Sequence, residues 1–303
     1  MIIIWGFGQL GATLYRELTN SVSNETICFA DNNPDIQGQY VNHTKVFSLE
    51  SLLAYHETHK DEEIKVYIAS LSWKSIANQL IDYHFHIVGY YVHGKLYDYE
   101  SLDWNKVKNR KTVKLYAGDI CDEIHLADKD VVGLSINKED CRHILHDITT
   151  SYPLPDDSVD SYQAEDVLEH IEYDKLVDVI NEIWRVLKPG SVFRLSLPDY
   201  FSPYLKNITL TDKDGHFLYD PTGGGKYIDH TVVKGGHVWF PTIENVKPLL
   251  EKSKFSNINY LCYREADGTL KKDTIDYTNG HVIRLAKCHS DEGIYSLLID
   301  CRK

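Results

Sequence analysis

The sequence predicts an α/β protein made of two doubly wound domains, residues 1–103 and residues 104–303. A chain of 303 residues is long enough for two domains of ordinary size, each with its own hydrophobic core. Apolar segments of strand length alternate with segments of helical periodicity in both halves. A glycine-rich turn directly follows the first apolar segment. This alternation favours parallel sheets with helices on both faces.

The first domain begins with an apolar strand at residues 2–5, a turn with the sequence GFGQLG and a helical pattern at residues 12–18. This strand–turn–helix order is the context in which a G-x-G-x-x-G pattern indicates a dinucleotide-binding turn. Gly6 allows the tight turn, Gly8 lets a phosphate approach the backbone, and Gly11 lets the helix pack closely on the strand. The free N–H groups at the start of the helix would then bind the anion. We therefore predict a Rossmann-like domain that binds a nucleotide.

The rest of the first domain continues the alternation. The second strand, residues 26–30, ends at Asp31, where a carboxylate that binds ribose hydroxyls is expected. Ser48 is a suitable N-cap for the helix that follows it. The later predicted elements are a helix at 49–56, a strand at 64–69, a helix at 72–83 and a strand at 86–91.

This pattern resembles the small N-terminal nucleotide-sugar-binding domains of sugar acyltransferases and other bacterial surface-glycan enzymes. The resemblance implies that the glycine turn and Asp31 hold a nucleotide or a nucleotide-sugar. Two other interpretations stay open. The glycines can serve close packing alone, or the domain can bind NAD as part of an NAD-dependent oxidoreductase.

The second domain repeats the alternation over a longer stretch. Strands are predicted at 112–118, 131–137, 143–147 and 158–164. A helix is predicted at 174–187, because its apolar residues recur at the spacing of one helical face. Lys188, Pro189 and Gly190 are expected to stop this helix, and a strand is expected at 191–197.

Residues 199–240 show no pattern of helix or strand over about 40 residues. The segment is rich in aromatic residues, which argues against disorder. The segment begins directly after the fifth predicted strand, at the carboxyl end of the sheet, where ligands bind in such folds. We interpret it as a lid or an acceptor-binding segment, with a rigid surface loop as the alternative.

Four runs of the second domain occur in a specific order: PLPDDSVD at 153–160, AEDVLEHI at 164–171, EIWRVLKPG at 182–190 and LSLPDY at 195–200. Together they resemble the middle of a class I S-adenosylmethionine (SAM)-dependent methyltransferase. They are similar to the predicted methyltransferases that are linked to surface polysaccharides. The resemblance implies a class I methyltransferase fold, SAM as cofactor, and a small polar acceptor such as a nucleotide-linked sugar or a surface glycan.

The resemblance also implies the positions of the cofactor-binding residues. Gly118 corresponds to the glycine beside the methionine moiety, Asn137 to the ribose-binding position, and Asp147 to the acid that reads the adenine amino group. The loop after the fourth strand, with Glu165 and Asp166 and then Glu169 and His170, would face the sulfonium and the acceptor. The single glycine after the first strand, and Asn137 in place of an acid, leave open a non-catalytic scaffold protein with the same fold.

Methyl transfer to a hydroxyl benefits from a base that removes the acceptor proton. His237, His170 and Asp166 are the candidates, although each residue type also serves capping or core hydrogen bonds. The set Asp220, Asp229, His230 and His237 matches no zinc or iron spacing, so no metal site is predicted.

Composition excludes several function classes. With 32 basic and 45 acidic side chains the formal net charge is −13, which argues against a nucleic-acid binder. A basic stretch from Lys106 to Lys114 is expected to be a solvated interdomain linker.

The six cysteines form no C-x-x-C pair and are expected to be reduced thiols. No apolar run reaches the roughly 18 residues of a membrane span, so we expect a cytoplasmic protein. Its partner is then a small-molecule or glycan substrate, and the choice between monomer and homodimer stays open.

Overall fold

The structure is a computed structural model that describes residues 1–21, 25–41, 44–60, 62–81, 83, 85–99, 102–120, 123–137, 139–288 and 290–303. The chain folds into two compact units, residues 1–101 and residues 102–303. Each unit is α/β and is built on one mixed, mostly parallel sheet. Within the described part of the chain, no helix has both the length and the apolar character needed to cross a bilayer.

Unit 1 has a seven-stranded sheet in the order β3-β4-β2-β1-β5-β6-β7. The inner strands are parallel, whereas β3 and β7 at the two edges are antiparallel to their neighbours. Its elements are β1 (Ile2–Trp5), α1 (Gln9–Ser21), β2 (Ile27–Ala30), β3 (Tyr40–Val41), β4 (Thr44–Phe47), α2 (Leu49–Thr58), β5 (Lys65–Ile68), α3 (Trp73–Ile81), β6 (His86–Val92) and β7 (Lys95–Asp98).

The predicted strands and helices of unit 1 form near the predicted positions, whereas β3, β4 and β7 were not predicted. All four residues of β1 are buried, and Leu14 and Leu18 of α1 pack against the same core. Ser48 caps α2 in a reciprocal pair with Ser51, which satisfies backbone N–H groups at the start of the helix.

Unit 2 has an eight-stranded sheet in the order β10-β9-β8-β11-β12-β19-β17-β18. Its elements are α4 (Trp104–Lys108), β8 (Lys114–Ala117), α5 (Glu123–Ala127), β9 (Val131–Ser135), β10 (His143–Leu145), β11 (Val159–Glu165), α6 (Leu176–Val186), β12 (Leu187–Pro198), α7 (Pro203–Ile208), β13 (Leu210–Thr211), β14 (Phe217–Tyr219), β15 (Lys226–Ile228), β16 (Thr231–Val233), α8 (Ile243–Glu251), β17 (Asn257–Arg264), β18 (Leu270–Lys272), α9 (Ile283–Lys287) and β19 (Ser296–Arg302). The strands from β10 to β12 are parallel, and β19, β17 and β18 are antiparallel.

The strand order of unit 2 creates a topological switch point. The chain runs outward from β8 through β9 to β10 and then returns to place β11 on the other side of β8. The connection after β8 therefore leads to one side of the sheet and the connection after β11 leads to the other. Between them a crevice remains at the carboxyl ends of β8 and β11.

The junction of α6 and β12 differs from the sequence prediction. The helix ends at Val186, and the next residue already belongs to β12, so residues 188–190 do not form a separate stop signal. The pairing with β11 jumps from Leu187 to Val192, which makes the intervening residues a bulge. Gly190 has a φ of 81°, and such a bulge tolerates both this conformation and the proline.

Residues 199–240 contain a short helix and two hairpins, so the expectation of a segment without helix or strand was wrong. Ser202 caps the short helix α7, and two hairpins follow, β13 with β14 and β15 with β16. These strands are only two or three residues long, which is too short for an alternating pattern to be visible in the sequence.

The basic stretch is also ordered and does not form a linker. Asp103 caps α4 by accepting a hydrogen bond from the N–H of Lys106, and Val107 is buried. Lys114 lies in β8 and pairs with Asp128 at 2.7 Å. Five of the six cysteines are free thiols in the structure, and Cys121 lies outside the described residues.

Candidate active site

A cleft of about 680 Å³ lies at the carboxyl ends of β8, β9, β10 and β11, at the switch point of unit 2. This volume is within the range of small-molecule sites. Polar or backbone groups from four successive connections line it: Gly118, Ser135, Asn137, Asp147, Asp166 and His170. A second cleft of about 410 Å³ adjoins it and shares Gly118 and Asp166.

Gly118 forms the floor of both clefts. Its φ of 86° is in the left-handed region that favours glycine, and its N–H donates to the carbonyl of Leu134 at 2.8 Å. A Cβ atom at this position would lie 3.3 Å from Cγ2 of Val167. The absence of a side chain therefore leaves the backbone at the end of β8 open to a ligand.

Asn137 and Asp147 line the same cleft from the connections after β9 and β10. The backbone N–H of Asn137 donates to Oγ of Ser135, and its side chain is exposed. One carboxylate oxygen of Asp147 accepts from the N–H and the hydroxyl of Thr149 at 2.9 and 2.8 Å. These bonds lower the pKa of Asp147, so it carries a negative charge at neutral pH.

Glu165 lines the 410 Å³ cleft beside Gly118 and Asp166. Its two carboxylate oxygens accept hydrogen bonds from the backbone N–H groups of Ile283 and Arg284, each at 3.1 Å. The carboxylate therefore binds the first turn of α9 through two protein donors. Glu165 therefore holds α9 in place at the wall of this cleft.

Asp166 is the first residue after β11 and has a φ of 56°, an uncommon conformation for a residue other than glycine. Its Oδ2 pairs with Nε of Arg284 at 2.8 Å, while Oδ1 is buried and has no hydrogen-bond partner among the described residues. Burial raises the pKa of this carboxyl group to about 6, although Arg284 opposes the shift. One oxygen is thus held by the protein and the other is left for a ligand.

His170 and His237 lie together, with ring centroids 4.8 Å apart. His170 is partly exposed and lines the cleft, whereas only 4% of His237 is exposed. Burial lowers the pKa of His237 to about 4, so its ring is neutral at physiological pH. His237 therefore lies next to His170 but is not among the residues that line the cleft.

Three residues of this region were not predicted as site residues: Tyr200, Asp220 and Arg284. Glu169 belongs to the loop that was expected to face the sulfonium and the acceptor. Glu169 is fully buried next to His170, and Tyr200 donates a hydrogen bond from its hydroxyl to Asp220 at 2.6 Å. Tyr200 and Asp220 carry no sequence signal for this site, because only the fold brings them together. Asp229 and His230 form the turn of the β15–β16 hairpin, apart from the residues grouped around His237.

The glycine turn of unit 1 has two glycines that the packing requires and one that it does not. Gly6 has a φ of 112°, and a side chain there would collide with the carbonyl of Ala69. A side chain at Gly11 would collide with the carbonyl of Gly6, whereas a Cβ atom at Gly8 would meet open space.

Asp31 braces this turn of unit 1. Its Oδ2 accepts from the N–H of Phe7 at 2.7 Å, and its Oδ1 accepts from the N–H of Asn33 at 2.8 Å. The carboxylate that was expected to meet a ribose therefore also fixes the backbone between Gly6 and Gly8.

Comparison with known proteins assigns a family to part of unit 2. Residues 101–195 match the family model described as a methyltransferase domain. No curated protein matches the chain.

Solved structures that resemble the chain include a SAM-dependent methyltransferase from Archaeoglobus fulgidus, with 17% identity, a TM-score of 0.38, and coverage of 83% of this chain and 99% of that one. A SAM-dependent methyltransferase from Mesorhizobium loti has 13% identity, a TM-score of 0.37, and coverage of 66% and 97%. A phosphoethanolamine N-methyltransferase from Haemonchus contortus has 10% identity, a TM-score of 0.33, and coverage of 86% and 80%.

Proposed function

Since the chain carries a SAM-dependent methyltransferase domain, we propose that unit 2 methylates a small polar acceptor in the 680 Å³ cleft. The observation that carries the proposal is the arrangement along this cleft. Gly118, Asn137 and Asp147 line one part of it, and Asp166 and His170 line another. SAM, when bound, supplies an electrophilic methyl group.

The residues of the first part fit SAM in size and chemistry. The open backbone at Gly118 leaves room for the methionine moiety. The exposed amide of Asn137 can exchange hydrogen bonds with ribose hydroxyls, and the ionised carboxylate of Asp147 can accept from the adenine amino group. These three groups come from the ends of neighbouring strands, as in other α/β ligand sites.

The residues of the second part fit a polar, anionic acceptor. Lys175 and Lys234 line the cleft near His170, and they would attract the phosphates of a nucleotide-linked sugar. Transfer forms an O–CH3 bond on the acceptor, breaks the S–CH3 bond and releases the hydroxyl proton. Oδ1 of Asp166, which has no hydrogen-bond partner among the described residues, would take this proton, while Arg284 holds the other oxygen.

The cofactor assignment predicts the effect of Asp147→Ala. The variant should bind S-adenosylhomocysteine about tenfold more weakly, because a hydrogen bond to a charged group is lost, and this loss corresponds to about 1.4 kcal/mol. Titration calorimetry measures the change. Asp276→Ala is the matched control, since Asp276 makes the same pair of bonds to Thr278 away from the cleft. Equal affinity in the two variants would reject the assignment.

The acceptor assignment predicts the effect of Asp166→Asn. Turnover should fall by about 100-fold or more, as expected for loss of a general base, while the affinity for S-adenosylhomocysteine stays the same. Transfer of a radiolabelled methyl group to UDP-sugars and to glycan fragments measures turnover. If none of these acceptors is methylated, the proposed acceptor class is wrong. If Asp166→Asn is fully active, Asp166 does not remove the proton.

We also propose that unit 1 is a Rossmann-like domain that binds a nucleotide at residues 6–11. Gly8 supports this, because nothing in the packing requires glycine there, whereas a phosphate approaching the backbone would. Gly8→Val should abolish the thermal shift given by a UDP-sugar, and Gly293→Val, another glycine with space around it, should not. A shift with NAD in place of UDP-sugars would favour the oxidoreductase interpretation. No shift with either ligand would leave the glycines a packing role only.

A further inference from the structure

We propose that Glu169, His170 and His237 bind one divalent transition-metal ion next to the cleft of unit 2. Each of these residues offers one ligand atom, and the three atoms lie within 4.8 Å of one another. The metal site itself stands on these residues alone, whereas its role toward the acceptor rests on the proposed function.

The buried carboxylate of Glu169 is the first observation that points to a cation. Glu169 is 0% exposed, and neither of its carboxylate oxygens has a hydrogen-bond partner among the described residues. An ionised carboxylate that has lost water and gained no donor is very unfavourable, so buried charges are usually paired or coordinate metals. A metal ion would supply the missing partner.

The orientation of His237 is the second observation. Tyr200 has one hydroxyl proton, which it donates to Asp220 at 2.6 Å. At the 2.5 Å contact between Tyr200 and His237, Nδ1 of the histidine must therefore be the donor. In the neutral ring, Nε2 then carries the lone pair, and it faces Oε1 of Glu169 at 3.6 Å.

Two electron-pair donors thus face each other at a distance that is too long for a hydrogen bond. A metal ion between them satisfies both, with typical bonds of about 2.0–2.2 Å. The series of hydrogen bonds from Asp220 through Tyr200 to His237 is the kind of support that fixes the tautomer and direction of a metal-binding histidine.

The surrounding structure holds the ligands in this arrangement. The N–H of Val238 donates to the carbonyl of Glu169 at 3.0 Å, and the indole of Trp239 donates to the carbonyl of Leu168 at 2.9 Å. These two bonds join the segment that carries His237 to the turn that carries the other two ligands. Gly223 makes room for the ring, because a Cβ atom there would lie 2.6 Å from Nδ1 of His237.

The ligand set indicates the class of metal and its use. Two imidazoles and one carboxylate suit Zn²⁺, Fe²⁺ or Co²⁺ better than Mg²⁺ or Ca²⁺, which prefer oxygen ligands. Three protein ligands leave a coordination position open, as in catalytic sites. Because His170 lines the cleft, the open position would face the acceptor, where the ion would bind a hydroxyl and lower its pKa.

Metal binding to the full chain tests the proposal. The protein is stripped with a chelator and titrated with Co²⁺, and uptake is followed by elemental analysis and by the d–d absorption of the bound ion. We expect one equivalent of metal per chain. His170→Ala should abolish this uptake and leave the fold intact, because the side chain is partly exposed and lines the cleft; circular dichroism checks the fold. Tyr200→Phe should weaken binding by about 10–100-fold, because the support of His237 is lost.

His216→Ala is the matched control. His216 lies with Asp212 and Asp214 in the other histidine–carboxylate group that could hold an ion, at the surface of unit 2. This variant should keep one equivalent of metal. Loss of uptake in His216→Ala but not in His170→Ala would overturn the proposal, and so would no uptake by the wild type, which would mean that Glu169 is simply protonated. Calorimetry with S-adenosylhomocysteine on the same samples tests the methyltransferase proposal separately.

Discussion

At the scale of single residues, Gly118 shows how much of the cleft depends on a missing side chain. It is the last position before the crevice on the central strand β8, and it contributes to both clefts. Its left-handed backbone and the contact that a Cβ atom would make with Val167 both favour glycine. Gly118 has a left-handed backbone, and it also leaves space for a ligand. An experiment can separate these two reasons for glycine, because another glycine has the same backbone conformation but does not lie at the cleft.

Gly118→Ala and Gly268→Ala form this pair. The two glycines have φ values of 86° and 88°, but a Cβ atom at Gly268 meets no other atom. Both variants should lose about 1–2 kcal/mol of unfolding free energy from the left-handed backbone, measured by chemical denaturation. Only Gly118→Ala should also weaken S-adenosylhomocysteine binding in calorimetry. Equal binding by both variants would show that the ligand does not approach Gly118.

The candidate site residues that follow strands could be predicted from the sequence, and those brought in by the fold could not. Gly118 and Asp147 each follow an apolar run, and their side of the sheet is fixed by the parallel topology. Tyr200 and Asp220 are 20 positions apart, and no motif in the sequence indicates that their side chains form a hydrogen bond. The burial of His237 was also invisible in the sequence, because it depends on Tyr200 and Gly223 packing against the ring.

At the scale of elements, Arg185 joins α6 to the turn that precedes β11. Its guanidinium donates to the carbonyls of Tyr152 and Leu154 and to the carboxylate of Asp156. It also pairs with Glu182 on the same helix at 2.7 Å, and Glu182 accepts the backbone N–H of Tyr152 at 2.8 Å. Two of the sequence runs that resemble methyltransferases, at 153–160 and 182–190, are thus joined to each other by hydrogen bonds.

Glu182→Gln should make the stability of unit 2 less dependent on pH. The hydrogen bonds from Arg185 lower the pKa of Glu182 below its ordinary value. The Glu182 carboxyl group therefore binds a proton less readily in the folded state than in the unfolded state. Its stabilisation of the folded state is fully present above the unfolded pKa of about 4.3 and is lost as the pH falls through the folded-state pKa. At pH 7 the variant should be less stable by about 1–3 kcal/mol.

Denaturation curves from pH 7 to pH 3 measure this difference, which should be constant down to about pH 5 and shrink below about pH 4. Glu251→Gln, at an exposed glutamate at the end of α8, serves as the control and should show no comparable loss. A Glu182→Gln protein with unchanged stability at pH 7 would contradict the role given to this network.

Long elements with clear periodicity were predictable, and short or bulged ones were not. The helix α6 buries Leu176, Val179, Ile180 and Ile183 on the face that the spacing predicts. The hairpins within residues 199–240 are held by contacts that the linear pattern does not contain. The antiparallel strands beyond β12 are likewise set by pairing partners and not by composition, so the predicted all-parallel sheets are in fact mixed.

At the scale of the whole molecule, the chain has separate hydrophobic cores. One buried cluster lies within residues 2–91 around β1 and α1, and another lies within residues 102–301 around the parallel strands of unit 2. The residues that line the 680 Å³ cleft all belong to unit 2. The length of the chain already predicted two domains, whereas the extent of each sheet depends on edge strands that only the structure defines.

Residues 102–303 produced alone should therefore fold and bind S-adenosylhomocysteine with the affinity of the full chain. A domain of this size with its own core is large enough for independent stability. Calorimetry on the fragment and on the full chain measures both dissociation constants, and thermal unfolding shows whether the fragment is cooperative. A folded fragment with much weaker binding would show that residues 1–101 contribute to the cofactor site.

The bonds between Glu165 and α9 have a consequence for synthesis. The two bonds span sequence separations of 118 and 119 residues. One wall of the 410 Å³ cleft therefore cannot form until Ile283 and Arg284 have been synthesised. Contacts of such large sequence separation form late and slowly. A nascent chain can therefore pair β8 with β11 before this wall exists. Binding of a ligand in this cleft would then begin only after α9 has docked.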